Sequence, residues 1–377
     1  MRAAIDRLMS RRHDLNPSEC FAETYAEARA KFIDAAGRAD ARVESVVHPL
    51  KGRQNEELAL DIARIGALDT KRLLVISSGC HGVEGFAGSG VQVALLQERA
   101  FQERARASGV ALLYLHALNP WGFSWWRRWT EDNVDLNRNF QDFGAGGPLP
   151  GNPGYAAIAD ALVPDTWPSE AADRVLWDYV GTHGMRGIEV AIASGQYTHR
   201  DGLFFGGHAP TWSHDAVRRI VRQHRGRCEQ VAWLDLHTAT GPKGAATMVL
   251  AAPEDPETLV RARAWWGDDV ASFDAPAGPM VSRKGTMADG LRDEFTGSEY
   301  TNVILEFGTE DGVEVLMALR AGQWLDRQRR PDPSLQRSID RRVRDAFYTD
   351  TEAWKASTVG QGCEAAYRAL AGLVGVS

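Results

Sequence analysis

His81 and Glu84 stand three residues apart in SSGCHGVEG, directly after the apolar run RLLVIS at positions 72 to 77. A neutral imidazole and a carboxylate at that spacing can share one Zn²⁺, and glycines at 79, 82 and 85 let the backbone turn sharply enough to present both. His237, in LDLHT, offers a second imidazole. A His₂Glu set leaves one coordination position for water, which separates a catalytic zinc from a structural one. The spacing alone is weak, because chance supplies roughly 0.7 His-x-x-Glu matches in a chain with ten histidines. Taken alone it fits a hydrogen-bonded core histidine beside a surface glutamate better than a ligand pair. Glu306 closes the apolar run Val303-Ile304-Leu305, where a buried carboxylate is costly unless it has a purpose.

These residues stand where strands should end. Short apolar runs at 72–77, 110–116, 231–236, 248–252 and 301–305 read as buried strands, and alternation at 42–50 and 58–62 reads as two more. Helices are expected from Pro17-Ser18 through Phe21, Tyr25, Ala28 and Phe32, then over 85–100 and 313–328. Strands alternating with helices imply an α/β fold: a mixed, mostly parallel twisted sheet with helices on both faces. In such sheets ligands bind beyond the carboxyl ends of the strands, and four strand ends here deliver polar residues. The pattern breaks between Gln141 and Ala216, with five Gly and three Pro in Gly144 to Gly154 and another irregular stretch from Gly195 to Ser213. The expectation is a single domain over 1–377, with irregular insertions around 141–216 and 267–299 bordering the site.

The composition narrows the function classes. A net charge of −7 supplies no basic stripe for nucleic acid. With 44% hydrophobic residues the chain can bury a large core. No run approaches the ~18 apolar residues of a membrane span, and Met1 to Arg12 is basic without a signal peptide's apolar stretch. Cys20, Cys80, Cys228 and Cys363 lie far apart, the usage of a reducing compartment, so a cytoplasmic location is expected. Cys80 is expected to point away from its ligand neighbour, as a small buried residue. The chain has no GxGxxG, GxxxxGK[ST] or GxSxG motif, which argues against nucleotide enzymes and serine hydrolases.

The ordered set HGVE, NPWG…RRW…NVDLNRNF, LDLHT and ILEFGT resembles the zinc carboxypeptidase family, the carboxypeptidase A-like metallopeptidases, and within it a bacterial branch catalogued as a domain of unknown function. The motifs span Ser77 to Thr309. The resemblance implies a carboxypeptidase/phosphorylase-hydrolase-like fold and one Zn²⁺ per chain, held by His81, Glu84 and His237. It implies Glu306 as the general base acting on zinc-activated water and Arg128 as the cation that stabilises the oxyanion. Asn137 and Arg138 are implied to grip the substrate's carboxylate, Arg138 through a two-pronged contact. Arg127 is the alternative to Arg128 and a further candidate for substrate binding; otherwise it faces solvent or pairs with an acid such as Glu131. Asp135 is implied to orient the first imidazole by accepting its other N–H.

The implied activity is hydrolysis of a peptide or amide bond next to a free carboxylate, on a small peptide or N-acyl amino acid. The alternatives are an aspartoacylase-type deacylase and a non-catalytic binding protein on the same scaffold. Two departures from the family pattern stand out. Asn-Pro-Trp-Gly replaces the common Asn-Pro-Asp-Gly, and no mobile tyrosine lies between His237 and Glu306. Tyr300 is too near a strand start, and the segment PMVSRKGTM (279–287) carries Arg283 and Lys284 instead. Trp121, Trp125, Trp126 and Trp129 crowd the arginine segment as a candidate aromatic wall, although core packing accounts for at least two.

Overall fold

The computed structural model describes residues 16–250, 255–272 and 283–375. The basic stretch at 1–12 and part of the segment 279–287 lie outside them. Among the described residues eight strands form one sheet: β1 (Arg42–Lys51), β2 (Glu57–Ile65), β3 (Arg72–Ser78), β4 (Val110–His116), β5 (Gln230–Thr238), β6 (Ala246–Leu250), β7 (Ala271–Ser272) and β8 (Glu299–Phe307). Their spatial order is β1-β2-β4-β3-β5-β8-β6-β7. The central four, β4-β3-β5-β8, run parallel, while β2 and β6 flank them antiparallel. The sheet is therefore mixed with a parallel centre, as expected.

Twelve α-helices accompany it among the described residues: α1 (Tyr25–Arg38), α2 (Gly85–Gln97), α3 (Arg99–Ala107), α4 (Pro120–Trp125), α5 (Pro153–Leu162), α6 (Glu170–Ala193), α7 (Trp212–Arg222), α8 (Pro256–Trp266), α9 (Met287–Arg292), α10 (Gly312–Asp326), α11 (Pro333–Phe347) and α12 (Glu352–Leu373). Strand alternation assigns the two sheet faces. Leu74 and Ile76 of β3 pack with Phe32, Phe86, Leu95 and Leu370 from α1, α2 and α12. Leu73 and Val75 point the other way and pack with Val217, Ile220 and Leu291 from α7 and α9. A third cluster, with Ile158, Ile192, Leu319, Val343 and Phe347, joins α5, α6, α10 and α11.

Some boundaries differ from the sequence reading. Phe21 belongs to a separate 3₁₀ turn (Pro17–Cys20 and its cap), and α1 begins at Tyr25, where the Thr24 side chain accepts the Glu27 N–H. The helix expected over 85–100 is two helices, α2 and α3, meeting at Glu98. The strand expected over 248–252 is β6, ending at Leu250, and positions 251–252 lie outside the described residues.

The larger correction concerns 141–216, which holds two whole helices and the start of α7 rather than loop throughout. Asn152 and Ser169 cap α5 and α6 by accepting N–H groups in the first turn. Glycines at 181, 184 and 187 disguise α6, and Gly184 (φ +70°) does break it midway.

Candidate active site

β3 ends at Ser78, and Gly79 (φ +67°) turns the chain into Cys80 and His81. The next residues form a 3₁₀ turn, Gly82–Glu84, with His81 at its N-cap. A Cβ on Gly82 would overlap the backbone of Gly122, so only glycine lets α4 lie against this turn. That close approach brings residues 127–128 alongside, where the Gly82 N–H donates to Arg128 O (3.2 Å) and the Val83 N–H to Arg127 O (2.9 Å). β5 delivers His237 from the adjacent parallel strand, and β8 delivers Glu306 in register with it.

The three expected ligands converge. One donor atom from each of His81, Glu84 and His237 lies within 4.8 Å of the others, and all three residues are buried. His81 Nδ1 is 2.9 Å from Glu84 Oε1, His237 Nδ1 is 3.1 Å from Glu84 Oε2, and the two Nδ1 atoms are 3.2 Å apart. Each ring turns its far nitrogen to an aspartate: His81 Nε2 lies 3.1 Å from Asp135 Oδ1, and His237 Nε2 lies 2.7 Å from Asp235 Oδ2. An Nε2–H donated to an aspartate leaves the Nδ1 lone pair facing the centre of the cluster. Two imidazoles and a carboxylate, buried and aimed at one point, are a donor set suited to a divalent zinc ion.

Asp235 was not among the residues singled out from the sequence. Its signal is the period-two spacing Asp-x-His on one strand, which puts both side chains on one face. It is anchored in turn: Ser77 Oγ donates to Asp235 Oδ1 (2.6 Å), and Trp233 Nε1 donates to Ser77 Oγ (2.7 Å).

Electrostatics follow from burial and these contacts. Burial opposes charge on Glu84, yet the two imidazoles outweigh it and hold its pKa below the ordinary value. Burial likewise opposes charge on His237, but Asp235 and Glu84 hold its pKa well above the usual histidine range. Asp135 is held well below the carboxylate range because Arg128 and His81 outweigh its burial. Glu306 differs: burial, reinforced by Glu84, pushes its pKa up against the pull of His237. Its Oε2 has no hydrogen-bond partner among the described residues. A desolvated carboxylate beside the cluster has the raised basicity a proton acceptor needs.

Arg128 spans the cluster. Its Nε donates to Asp135 Oδ2 (3.1 Å), its Nη1 to Glu84 Oε1 (3.0 Å), and its Nη2 lies 2.7 Å from His81 Nε2. That nitrogen can donate to Asp135 or accept from Arg128, not both, and only the donating form frees Nδ1 for a cation.

A cavity of about 480 Å³ opens beside these residues. Arg128, Arg138, Arg283 and Glu306 line its polar end, and Ile188, Ile192, Phe204, Leu316, Leu319 and Phe347 line much of the rest. Its walls therefore draw on both spans expected to border the site.

Other expected residues fall elsewhere. Arg127 does not pair with Glu131, nor does it face the cluster. It is 4% exposed, with Nε and Nη2 on Asp326 and Nη1 on Asp340, while Glu131 meets His48. Arg138 borders the cavity; its Nη1 donates to Asn137 O (2.7 Å) and its Nη2 to Ala193 O (2.6 Å), and its buried Nε has no hydrogen-bond partner among the described residues. Asn137 accepts the Met287 N–H at Oδ1 (2.9 Å) and does not line the cavity. Cys80 is a buried core residue outside the His81–Glu84–His237 group; it forms a second close group with Asp235 and His237, and burial raises its thiol pKa well above normal. Tyr300 is a core residue stacked on Phe295. None of the four tryptophans lines the cavity. Trp121, Trp125 and Trp129 border a separate groove with Arg127, and Trp126 lies under Arg53.

No helix among the described residues is long and apolar enough to cross a membrane. No curated protein matches the chain. Among solved structures it is similar to carboxypeptidase A from Helicoverpa armigera, at 13% identity and a TM-score of 0.45, over 90% of this chain and 78% of that one. It is also similar to bovine thrombin-activatable fibrinolysis inhibitor, at 12% identity and 0.45, over 95% and 98%. A third is the product-bound ectoine utilization protein from Ruegeria pomeroyi, at 12% identity and 0.36, over 74% and 64%. A family match covers residues 21–361, nearly the whole described chain, and by it this chain belongs to the family described as "Protein of unknown function (DUF2817)".

Proposed function

We propose that the protein is a zinc-dependent hydrolase of a peptide or amide bond next to a free carboxylate, with His81, Glu84 and His237 holding one Zn²⁺ per chain. The observation that carries this reading is the convergence of those three buried side chains within 4.8 Å, with Glu306 in register beside His237. When bound, the zinc supplies Lewis acidity, lowering the pKa of a water toward ~7 and polarising a carbonyl.

The remaining work belongs to the chain. Glu306, its basicity raised by burial, takes the proton from the attacking water and returns it to the leaving nitrogen. Asp135 and Asp235 hold the two imidazoles in the tautomer that points Nδ1 inward. Arg128, positioned by Glu84 and Asp135 and bordering the cavity, stabilises the negative charge that develops on the carbonyl oxygen. The apolar walls keep water away from these contacts, which strengthens them.

The test is metal analysis of the purified protein together with a chelator titration. The reading expects one zinc per chain and an amidase activity that a chelator abolishes and zinc restores. Activity that survives complete metal removal would overturn it.

A further inference from the structure

Phe204 holds φ +54°, in the left-handed region where a bulky residue is an outlier and its strain has to be offset by the structure around it. Hydrogen bonds on either side of it do so. Gln196 N–H donates to Phe204 O (3.1 Å), and the Gln196 side chain donates through Nε2 to Leu203 O (3.2 Å). Asp135 N–H donates to Phe205 O (2.7 Å), so the residue after Phe204 is fixed to the same aspartate that faces His81. The irregular stretch 195–213 is thereby tied to the metal-binding cluster, with Phe204 at the junction.

The ring of Phe204 meets two cations. The guanidinium carbon of Arg128 lies over it at 5.1 Å from the ring centroid, and that of Arg138 at 5.9 Å. All three side chains line one cavity with Glu306. The face of an aromatic ring attracts a cation, and more strongly where water is excluded. Asp135 and Glu84 hold Arg128 by accepting two of its N–H groups. The ring adds an apolar surface that displaces water from the guanidinium without consuming an N–H, so the remaining donors stay available to an oxygen of the substrate.

We propose that Phe204 is a positioning residue: its ring fixes Arg128 and Arg138 at the cavity and keeps water off Arg128. A guanidinium so held meets the negative charge that develops on the substrate in a dry setting, where the attraction is strongest. The consequence for turnover rests on the hydrolase reading above. A backbone strained at residue 204 is what puts the ring there.

The experiment uses the zinc-loaded full chain and the peptide N-acetyl-leucyl-phenylalanine. F204A should lower kcat roughly 3- to 30-fold while KM changes by less than about 3-fold. F204L keeps apolar bulk without an aromatic face and F204Y keeps the face, so F204Y should recover most of the rate and F204L should not. Glycine takes φ +54° without strain, so F204G should melt above F204A yet turn over no faster. A wild-type kcat in F204A, a loss confined to KM, equal rates in F204L and F204Y, or rates that simply follow melting temperature would overturn the inference. If F204A or F204G does not fold, the comparison of F204L with F204Y decides the matter.

Nuclear magnetic resonance of protein labelled with ¹⁵N-arginine separates this inference from the hydrolase reading. The guanidinium N–H signals of Arg128 and Arg138, identified through R128K and R138K, should be displaced by the ring current and exchange slowly with water. F204L should shift both signals and speed the exchange at Arg128. That result supports the positioning role even if the peptide is not cleaved. Signals and exchange rates unchanged in F204L would overturn it even if hydrolysis is established.

Discussion

Asp235 Oδ2 lies 2.7 Å from His237 Nε2, and the two residues project from the same face of β5. Asp235 is itself tethered through Ser77 to Trp233, so the imidazole's orientation is set by a chain reaching into the sheet. Asp235→Asn removes the charge and replaces one acceptor oxygen with an NH₂ donor. Zinc affinity should fall about 10- to 100-fold, measured by competition with a chromophoric chelator. Unchanged affinity would show that His237 needs no such partner.

His81→Ala and Glu306→Gln should separate binding from turnover. The first removes a ligand, and the protein should lose its metal. The second keeps the three ligands and the size of residue 306 but removes the proton acceptor, so metal content should stay near one per chain. Turnover in that variant should drop by about 10²- to 10⁴-fold. Wild-type rates in Glu306→Gln would transfer the general-base role to another residue.

Arg127 answers a different question. Buried against Asp326 and Asp340, it ties the arginine segment to α10 and α11. Arg127→Met leaves Asp340, 2% exposed, with only Arg53 as a cationic partner among the described residues. Such a loss costs about 3–5 kcal/mol of stability, readable by denaturant titration. Zinc stoichiometry should not change.

The pH dependence of stability should show a buried histidine. Burial, with Arg29 adding to it, lowers the His116 pKa to about 3, and the ring stacks on Phe32. An unfolded histidine titrates near 6.5, so between the two values the unfolded chain binds more protons than the folded one. The contribution is complete above pH 6.5 and is lost as pH falls, by about 2 kcal/mol at pH 5. His116→Phe should flatten the stability profile between pH 6.5 and 5 by that amount. An unaltered slope would place the acid sensitivity in His214 and His224, both lowered to about 4 by burial.

Much of the fold was legible in the chain because buried strands and helix stripes are local signals. The runs at 72–77, 110–116 and 231–236 are continuous apolar segments, and they are the central strands β3, β4 and β5. The helices of 141–216 were not legible, since α6 carries three glycines and gains its stability from packing Leu176, Ile188 and Ile192 into a distant cluster.

The residue types and order of HGVE, LDLHT and ILEFGT belong to the sequence, and they determined which side chains could gather around a cation. Only the tertiary structure decided which arginine meets the cluster. Arg127 and Arg128 are neighbours with the same chemistry, and the resemblance points to Arg128 without showing what either side chain meets. The separation comes from Asp326 and Asp340, about 200 positions away in the chain, which hold one, and from Glu84 and Asp135, which hold the other. Ion pairs form between whatever groups folding brings within reach, so their partners are a property of the packed molecule and not of the residues that form them.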